Sequence, residues 1–260
     1  MNSSDRRAGL EMMLRSFRLP SFVKYSQEVA MTAEKGGWSF EQFLYHLCEL
    51  EAEDRRVRRI ERFLKASKLP QTKTLATLET KKLPTTVQRQ LPVLCEGGFA
   101  ERAVNVLAFG LPGRGKSHLV CAIGHELIQR GYRVLFTPTF QLVQNLLFAK
   151  RELVLDKLMK RLDRFDVVIL DDIGYVQQNR EEMEVLFMFL AERYERRSVM
   201  ITSNLVFSQW DKIFKDPMTT ACAIDRVVHH SVILELNGPS YRAETAKKRT
   251  EAGDGLESPN

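Results

Sequence analysis

Apolar residues recur three or four positions apart through the first 66 residues, then gather into short unbroken runs from residue 104 onward. The first spacing is that of amphipathic helices, the second that of strands buried on both faces. A short helical piece over 11–19 is ended by Pro20, and a second over 22–35 is closed by Gly36 and Gly37. Ser39 with Gln42 three positions on forms a capping box. Beyond it Phe43, Leu47, Leu50, Val57, Ile60 and Leu64 keep a helical spacing to Ala66. After a connector over 67–92 rich in Lys, Thr and Pro, the runs 104–109, 132–136, 167–170, 199–202 and 232–236 read as five strands. They alternate with helices over 118–130, 140–164 (in one piece or two), 180–197 and 219–230. The pattern predicts an α/β protein: a five-stranded parallel sheet covered on both faces, preceded by a small all-helical domain. The expected boundaries are 1–66 for the helical domain, 67–245 for the α/β domain and 246–260 for a flexible C-terminal tail.

Between the first strand and its helix lies GLPGRGKS, residues 110–117. Strand, glycine-rich turn and helix in that order make G-x-x-x-x-G-K-S a P-loop. Its glycines let backbone N–H groups turn inward onto a phosphate, and the helix N-terminus adds partial positive charge there. The cradle therefore runs through Gly110, Pro112, Gly113, Arg114, Gly115, Lys116 and Ser117 into His118. Lys116 is placed to reach the β- and γ-phosphates, and Ser117 to hold Mg²⁺. ATP and Mg²⁺ are the expected cofactors.

A second motif completes the first. Four apolar residues over 167–170 lead into Asp171 and Asp172. Asp171, at the end of a buried strand, is placed to hold Mg²⁺ through water and so complete the Ser117 coordination; Asp172 is the candidate that polarises an attacking water. Thr202, Ser203 and Asn204 end the next strand, where Asn204 is either a polar sensor of the γ-phosphate or simply part of a turn. Arg226 and Arg242 are either surface charges or arginines that reach a γ-phosphate, in cis or across a subunit boundary.

Net charge is +6, but it is localised. Residues 55–90 carry 11 Lys/Arg against 2 Asp/Glu, whereas 91–240 balance at 18 against 18. Arg55, Arg56, Arg58, Arg59, Arg62 and Lys65 form the helical part of that excess. Lys157, Lys160, Arg161 and Arg164 make a second group with helical spacing. Such cations suit sequence-independent contact with DNA phosphates; the alternative is a solvated helix end, whose acid-then-base order also suits the helix dipole. Few aromatics interleave with them, which favours duplex over single strands. No apolar run reaches membrane-span length, and Cys48, Cys95, Cys121 and Cys222 show no C-x-x-C spacing. A cytoplasmic protein with reduced thiols, no zinc site and no membrane partner is expected.

On these marks (residues 110–117; Asp171, Asp172, Ile173 and Gly174; 202–204; Asp225 and Arg226; 238–242) the chain resembles the IstB/DnaC-like branch of the AAA+ ATPases over about 70–245. Length and the helical N-terminus resemble IstB, the ATPase helper of a two-protein insertion-sequence transposition system. The resemblance implies a sheet order 5-1-4-3-2, Asn204 as sensor 1, Arg226 as an arginine finger acting in trans and Arg242 as sensor 2. It also implies an ATPase that multimerises with itself on double-stranded DNA, selects or remodels that DNA and stimulates a partner transposase. Where the wider family has Asp-Glu this chain has Asp171 and Asp172, so slow hydrolysis, stimulated by assembly, DNA or transposase, is expected. A DnaC-like replicative helicase loader shares the ATPase core and is the competing reading.

Overall fold

A computed structural model describes residues 3–175, 180–205, 209–210 and 217–237. Arg242, the segment 238–242 and the tail 246–260 lie outside them. The chain divides into two compact units, Met1–Arg62 and Phe63–Asn260.

The first unit is helical: α1 (Ser3–Ser16), α2 (Pro20–Gly36) and most of α3 (Phe40–Ser67). Pro20 does not simply stop a helix; it opens α2, where a missing N–H costs nothing, after Arg18 turns the chain at φ 58°. The capping box forms as the spacing predicts, with Gln42 N–H donating to Ser39 Oγ at 3.1 Å and Ser39 N–H donating to Gln42 Oε1 at 2.9 Å. Phe22, Val29 and Leu47 make the small core, while Val57, expected on the apolar face, is exposed.

Glu51 is buried beside that core. It accepts from Ser21 N–H at 2.9 Å and from Arg55 Nε at 2.7 Å. Burial opposes its charge most strongly, but Arg55 and the Ser21 N–H and hydroxyl together outweigh burial and hold the carboxyl below its usual range. A lowered native value means stability present in full above about pH 4.3 and lost as pH falls through the native value. Glu51→Gln should therefore destabilise this unit by about 1–3 kcal/mol at pH 7, with the difference shrinking towards pH 3. Hydrogen exchange of the α2 amides across that range checks it, and a pH-independent difference refutes it.

The second unit holds the parallel sheet: β1 (Asn105–Phe109), β2 (Val134–Pro138), β3 (Val167–Asp171), β4 (Ser198–Ser203) and β5 (Ser231–Glu235). All neighbours are parallel, and the order β2-β3-β4-β1-β5 is the expected one. Two short 3₁₀ turns, Leu75–Thr77 and Thr80–Lys82, precede α4 (Thr85–Glu96) and α5 (Gly98–Glu101). Pro92 lies inside α4 instead of in a loop; burial of Val87, Leu91, Leu94 and Cys95 outweighs its lost hydrogen bond. Among the described residues the remaining α-helices are α6 (Lys116–Gln129), α7 (Thr139–Arg151), α8 (Leu155–Leu162), α9 (Arg180–Arg193) and α10 (Pro217–Val228), with a 3₁₀ turn at Ile173–Tyr175. The helical stretch after β2 is broken at Leu153, φ 57°, and α9 stops short of residue 197 because Glu195 takes φ 55°.

Arg193, at the end of α9, is buried and clamps the edge where strands begin. Its guanidinium donates to the carbonyls of Leu162, Phe165, Asp166 and Ser198 at 2.9–3.2 Å. Because every strand runs the same way, residues preceding strands collect at this edge and residues following them collect at the other.

Candidate functional site

At the edge where strands end, β1 runs into residues 110–117. Gly110 has φ 152°, and a Cβ there would lie 2.6 Å from Leu236 O, so no other residue fits. Gly113 and Gly115 sit at φ 81° and 82°, turning the loop beneath the first turn of α6. Together with the ends of β3 and β4 it bounds a cleft of about 540 Å³.

Asp171 organises the floor of that cleft. Its Oδ1 accepts from the Ser117 hydroxyl at 2.6 Å and from the Thr202 hydroxyl at 2.7 Å. Thr202 Oγ1 in turn accepts the Asp172 N–H at 2.8 Å, and Thr139 Oγ1 donates to Asp171 O at 3.0 Å. Asp172 is thereby held at φ 58°, a left-handed conformation unusual for a residue with a side chain. Asn204 Oδ1 is buried with no hydrogen-bond partner, close over Gly174, where a Cβ would meet it. Lys116 Nζ donates to Gly110 O at 2.6 Å and Leu111 O at 3.1 Å. Arg114 lines the cleft, with Nε and Nη1 buried and without acceptors. The nearby Cys121 thiol is pushed up to about 12 by burial, reinforced by Asp171 and opposed by Lys73, and is therefore an inert neutral side chain.

The structure thus brings together Gly113, Arg114, Gly115, Lys116, Ser117, His118, Asp171, Asp172 and Asn204 around one cleft, as the motifs predict. Sequence reasoning missed two contributions. Thr202 links the two acids, and only its place at a strand end hints at that. The connector supplies Lys73, Thr77, Leu78 and Glu79 to the opposite wall. It is tied down by His118, whose Nε2 lies 3.1 Å from Thr74 O and 3.1 Å from Thr77 Oγ1; nothing in its composition signals this.

Among the described residues no cluster of three or more His, Cys, Asp or Glu is disposed to hold a metal. Ser117 and Asp171 offer two hard oxygen donors at 2.6 Å from one another. That set is too sparse for a closed zinc cage and fits Mg²⁺, which keeps waters and takes further oxygens from phosphates.

Arg226, on α10, does not line the cleft; its guanidinium carbon lies 4.8 Å over the Phe187 ring. Arg55, Arg56, Arg58, Arg59, Arg62 and Lys65 are all exposed. Three of them answer local acids: Arg55 and Arg58 approach Glu51, and Arg56 pairs with Glu53 at 2.9 Å. Part of the charge excess that begins at residue 55 is therefore spent on the acids just before it. Lys157, Lys160, Arg161 and Arg164 are exposed at α8. Lys160 and Arg164 share a shallow depression with Arg133, Arg197, Asp163 and Asp166 at the edge where strands begin, opposite the cleft, and Arg197 is paired with Asp166 at 2.7 Å.

Residues 12–250 match the family described as IstB-like ATP binding protein. A Sinorhizobium fredii protein named for an insertion sequence and for ATP binding is 44% identical over 240 residues, which span 92% of this chain and 80% of that one. A Pseudomonas aeruginosa protein named as an ATP-binding protein of insertion sequence IS21 is 34% identical, over 92% of this chain and 90% of its own. Among solved structures, the DnaC helicase loader superposes with a TM-score of 0.52 at 17% identity, over 68% of this chain and 99% of its own. The replication initiator DnaA bound to AMPPCP and single-stranded DNA gives 0.56 at 17%, over 75% of this chain and 59% of its own. At that identity the likeness is one of fold, that of AAA+ P-loop proteins.

Proposed function

The chain belongs to the IstB-like ATP-binding proteins, and from that premise we propose that it is a Mg²⁺-dependent ATPase that assembles on double-stranded DNA and stimulates a partner transposase. The observation that carries the ATPase reading is the single oxygen of Asp171 shared by the Ser117 and Thr202 hydroxyls. Both donors fix the carboxylate before any ligand arrives, which is the preorganisation that phosphoryl transfer needs. Mg²⁺, when bound at Ser117 and Asp171, supplies charge neutralisation to the phosphates. Lys116 and the backbone N–H groups of 113–117 bind and orient the polyphosphate. Asp172 and Asn204 are placed to hold the attacking water, and the short reach of Asp172 keeps turnover slow. Arg226 acts on the nucleotide of a neighbouring copy, and Arg242 acts as the second sensor.

In this reading the exposed cations of α3 contact DNA phosphates, and those of α8 contact DNA phosphates in their own right. Contact with about five phosphates would cost duplex affinity roughly 10²–10³-fold between 50 and 200 mM salt. Filter binding or anisotropy of a random-sequence duplex and its separated strands, with and without ATP, tests this. A salt-steep duplex preference strengthened by ATP is expected. Salt-independent binding refutes the phosphate surface, and clear single-strand preference transfers the proposal to a helicase-loading role. Among the described residues no helix is long and apolar enough to cross a membrane.

A further inference from the structure

Leu153, between α7 and α8, is a leucine where neither the turn nor the core asks for one. The end of α7 is a Schellman motif: Val154 N–H donates to Ala149 O at 2.9 Å and Leu153 N–H to Lys150 O at 3.2 Å. Leu153 takes the left-handed position of that motif at φ 57°, where glycine or asparagine is usual and a leucine is strained. The other non-glycine residues at positive φ among the described residues are Arg18, Lys68, Ala103, Asp172 and Glu195, so Leu153 is the one large apolar side chain so placed. Nor is it packed, for it is 92% exposed. With the exposed Val154 it borders a depression of about 550 Å³, lined otherwise by Lys157, Lys160, Arg161 and Arg164 against Asp156 alone. Lys150 and Arg151, just before the turn, pair with Glu184 and Glu181, whereas among the described residues none of those four cations is in an ion pair.

We infer that Leu153 is a DNA wedge: while the four cations of this depression hold phosphates of a duplex, the leucine side chain enters between two base pairs, opens that step and kinks the helix. The inference rests on the duplex reading of the α8 cations and adds a role that cations cannot perform. An apolar side chain that parts one base step, with phosphate contacts around it, is a general means of bending DNA sharply. A protein partner fits less well. The centre of a protein interface is depleted of charge, whereas here two apolar side chains stand among four cations. Phe148, also exposed, does not border the depression and so does not enlarge that apolar centre.

The test uses the full chain with ATP and a short duplex carrying 2-aminopurine, whose fluorescence rises when its step unstacks, alongside anisotropy across a salt series. The wild-type chain should raise that fluorescence and bind a duplex with one mismatched pair about three- to tenfold more tightly, because a mismatched step opens more easily. Leu153→Asn should lose the signal and the mismatch preference, keep the salt slope set by the cations, and melt no lower than wild type without DNA. Leu153→Met, still apolar, should retain both the signal and the preference. A wild-type chain that binds duplex without raising the fluorescence overturns the wedge, as does an equal signal in Leu153→Asn. Loss of the signal together with the salt slope also overturns it, since the leucine would then only shape the cationic depression. Unchanged DNA behaviour with lost transposase stimulation overturns it in favour of a protein contact. A wild-type chain with no salt-dependent duplex binding sinks the duplex reading itself and the wedge with it, so the two failures are told apart.

Discussion

Asp171→Asn should lower ATP turnover on the order of 10²–10³-fold while leaving the fold intact. The amide oxygen can still accept the Ser117 and Thr202 hydroxyls that now converge on Oδ1 at 2.6 and 2.7 Å, so the local packing survives. What disappears is the charge that draws Mg²⁺ to Ser117. Thr202→Val makes the complementary change: the carboxylate stays, but its second donor and the acceptor for the Asp172 N–H are gone. About tenfold in turnover and a raised Mg²⁺ requirement are expected there, with Thr202→Ser restoring both. Steady-state hydrolysis across a Mg²⁺ titration checks the set. An Asp171→Asn protein that turns over ATP within threefold of wild type removes the metal assignment.

The second large effect concerns assembly. Arg226→Ala should abolish ATP-stimulated multimer formation on duplex DNA while a single chain still binds ATP with unchanged affinity. Arg226 lies away from the cleft of its own chain, stacked 4.8 Å from Phe187. Losing that stacking costs the fold about 0.5–1 kcal/mol, too little to unfold it, and the melting temperature measures it. Light scattering with ATP and duplex DNA decides: normal assembly in the variant means Arg226 is a packing residue and not a finger.

The floor of the cleft was legible before the fold because phosphate chemistry restricts residue choice severely. Gly110 must be glycine against Leu236 O, and Ser117 and Asp171 must be small oxygen donors, so the motif writes the geometry. The order of the strands came from the family resemblance, whereas their being parallel was legible from continuously apolar runs with helical crossovers. The connector wall was not. Lys73, Thr77, Leu78 and Glu79 contribute from 3₁₀ turns whose hydrogen bonds reach 41 residues along the chain to His118, and no periodicity reports such contacts. The cation count over 55–90 misled in degree, because a count along the sequence cannot see that Glu51 and Glu53 lie one helical turn away. Val57 erred similarly: helical spacing continues past the point where there is a core to face.

The cradle, Asp171 and Asn204 stand where strands end, whereas Arg133, Lys160, Arg164 and Arg197 stand where strands begin. A five-residue strand separates the two edges by roughly 17 Å, so a phosphate held at one cannot touch a phosphate held at the other. In the proposed reading, a duplex held at that edge would influence ATP only indirectly, through the arrangement of this unit or of neighbouring copies. Such an influence is reciprocal by thermodynamic necessity: if ATP tightens the duplex tenfold, the duplex tightens ATP tenfold, a coupling of about 1.4 kcal/mol. Nucleotide affinity measured with and without DNA would then report the same free energy as DNA affinity measured with and without nucleotide, although the two ligands never meet.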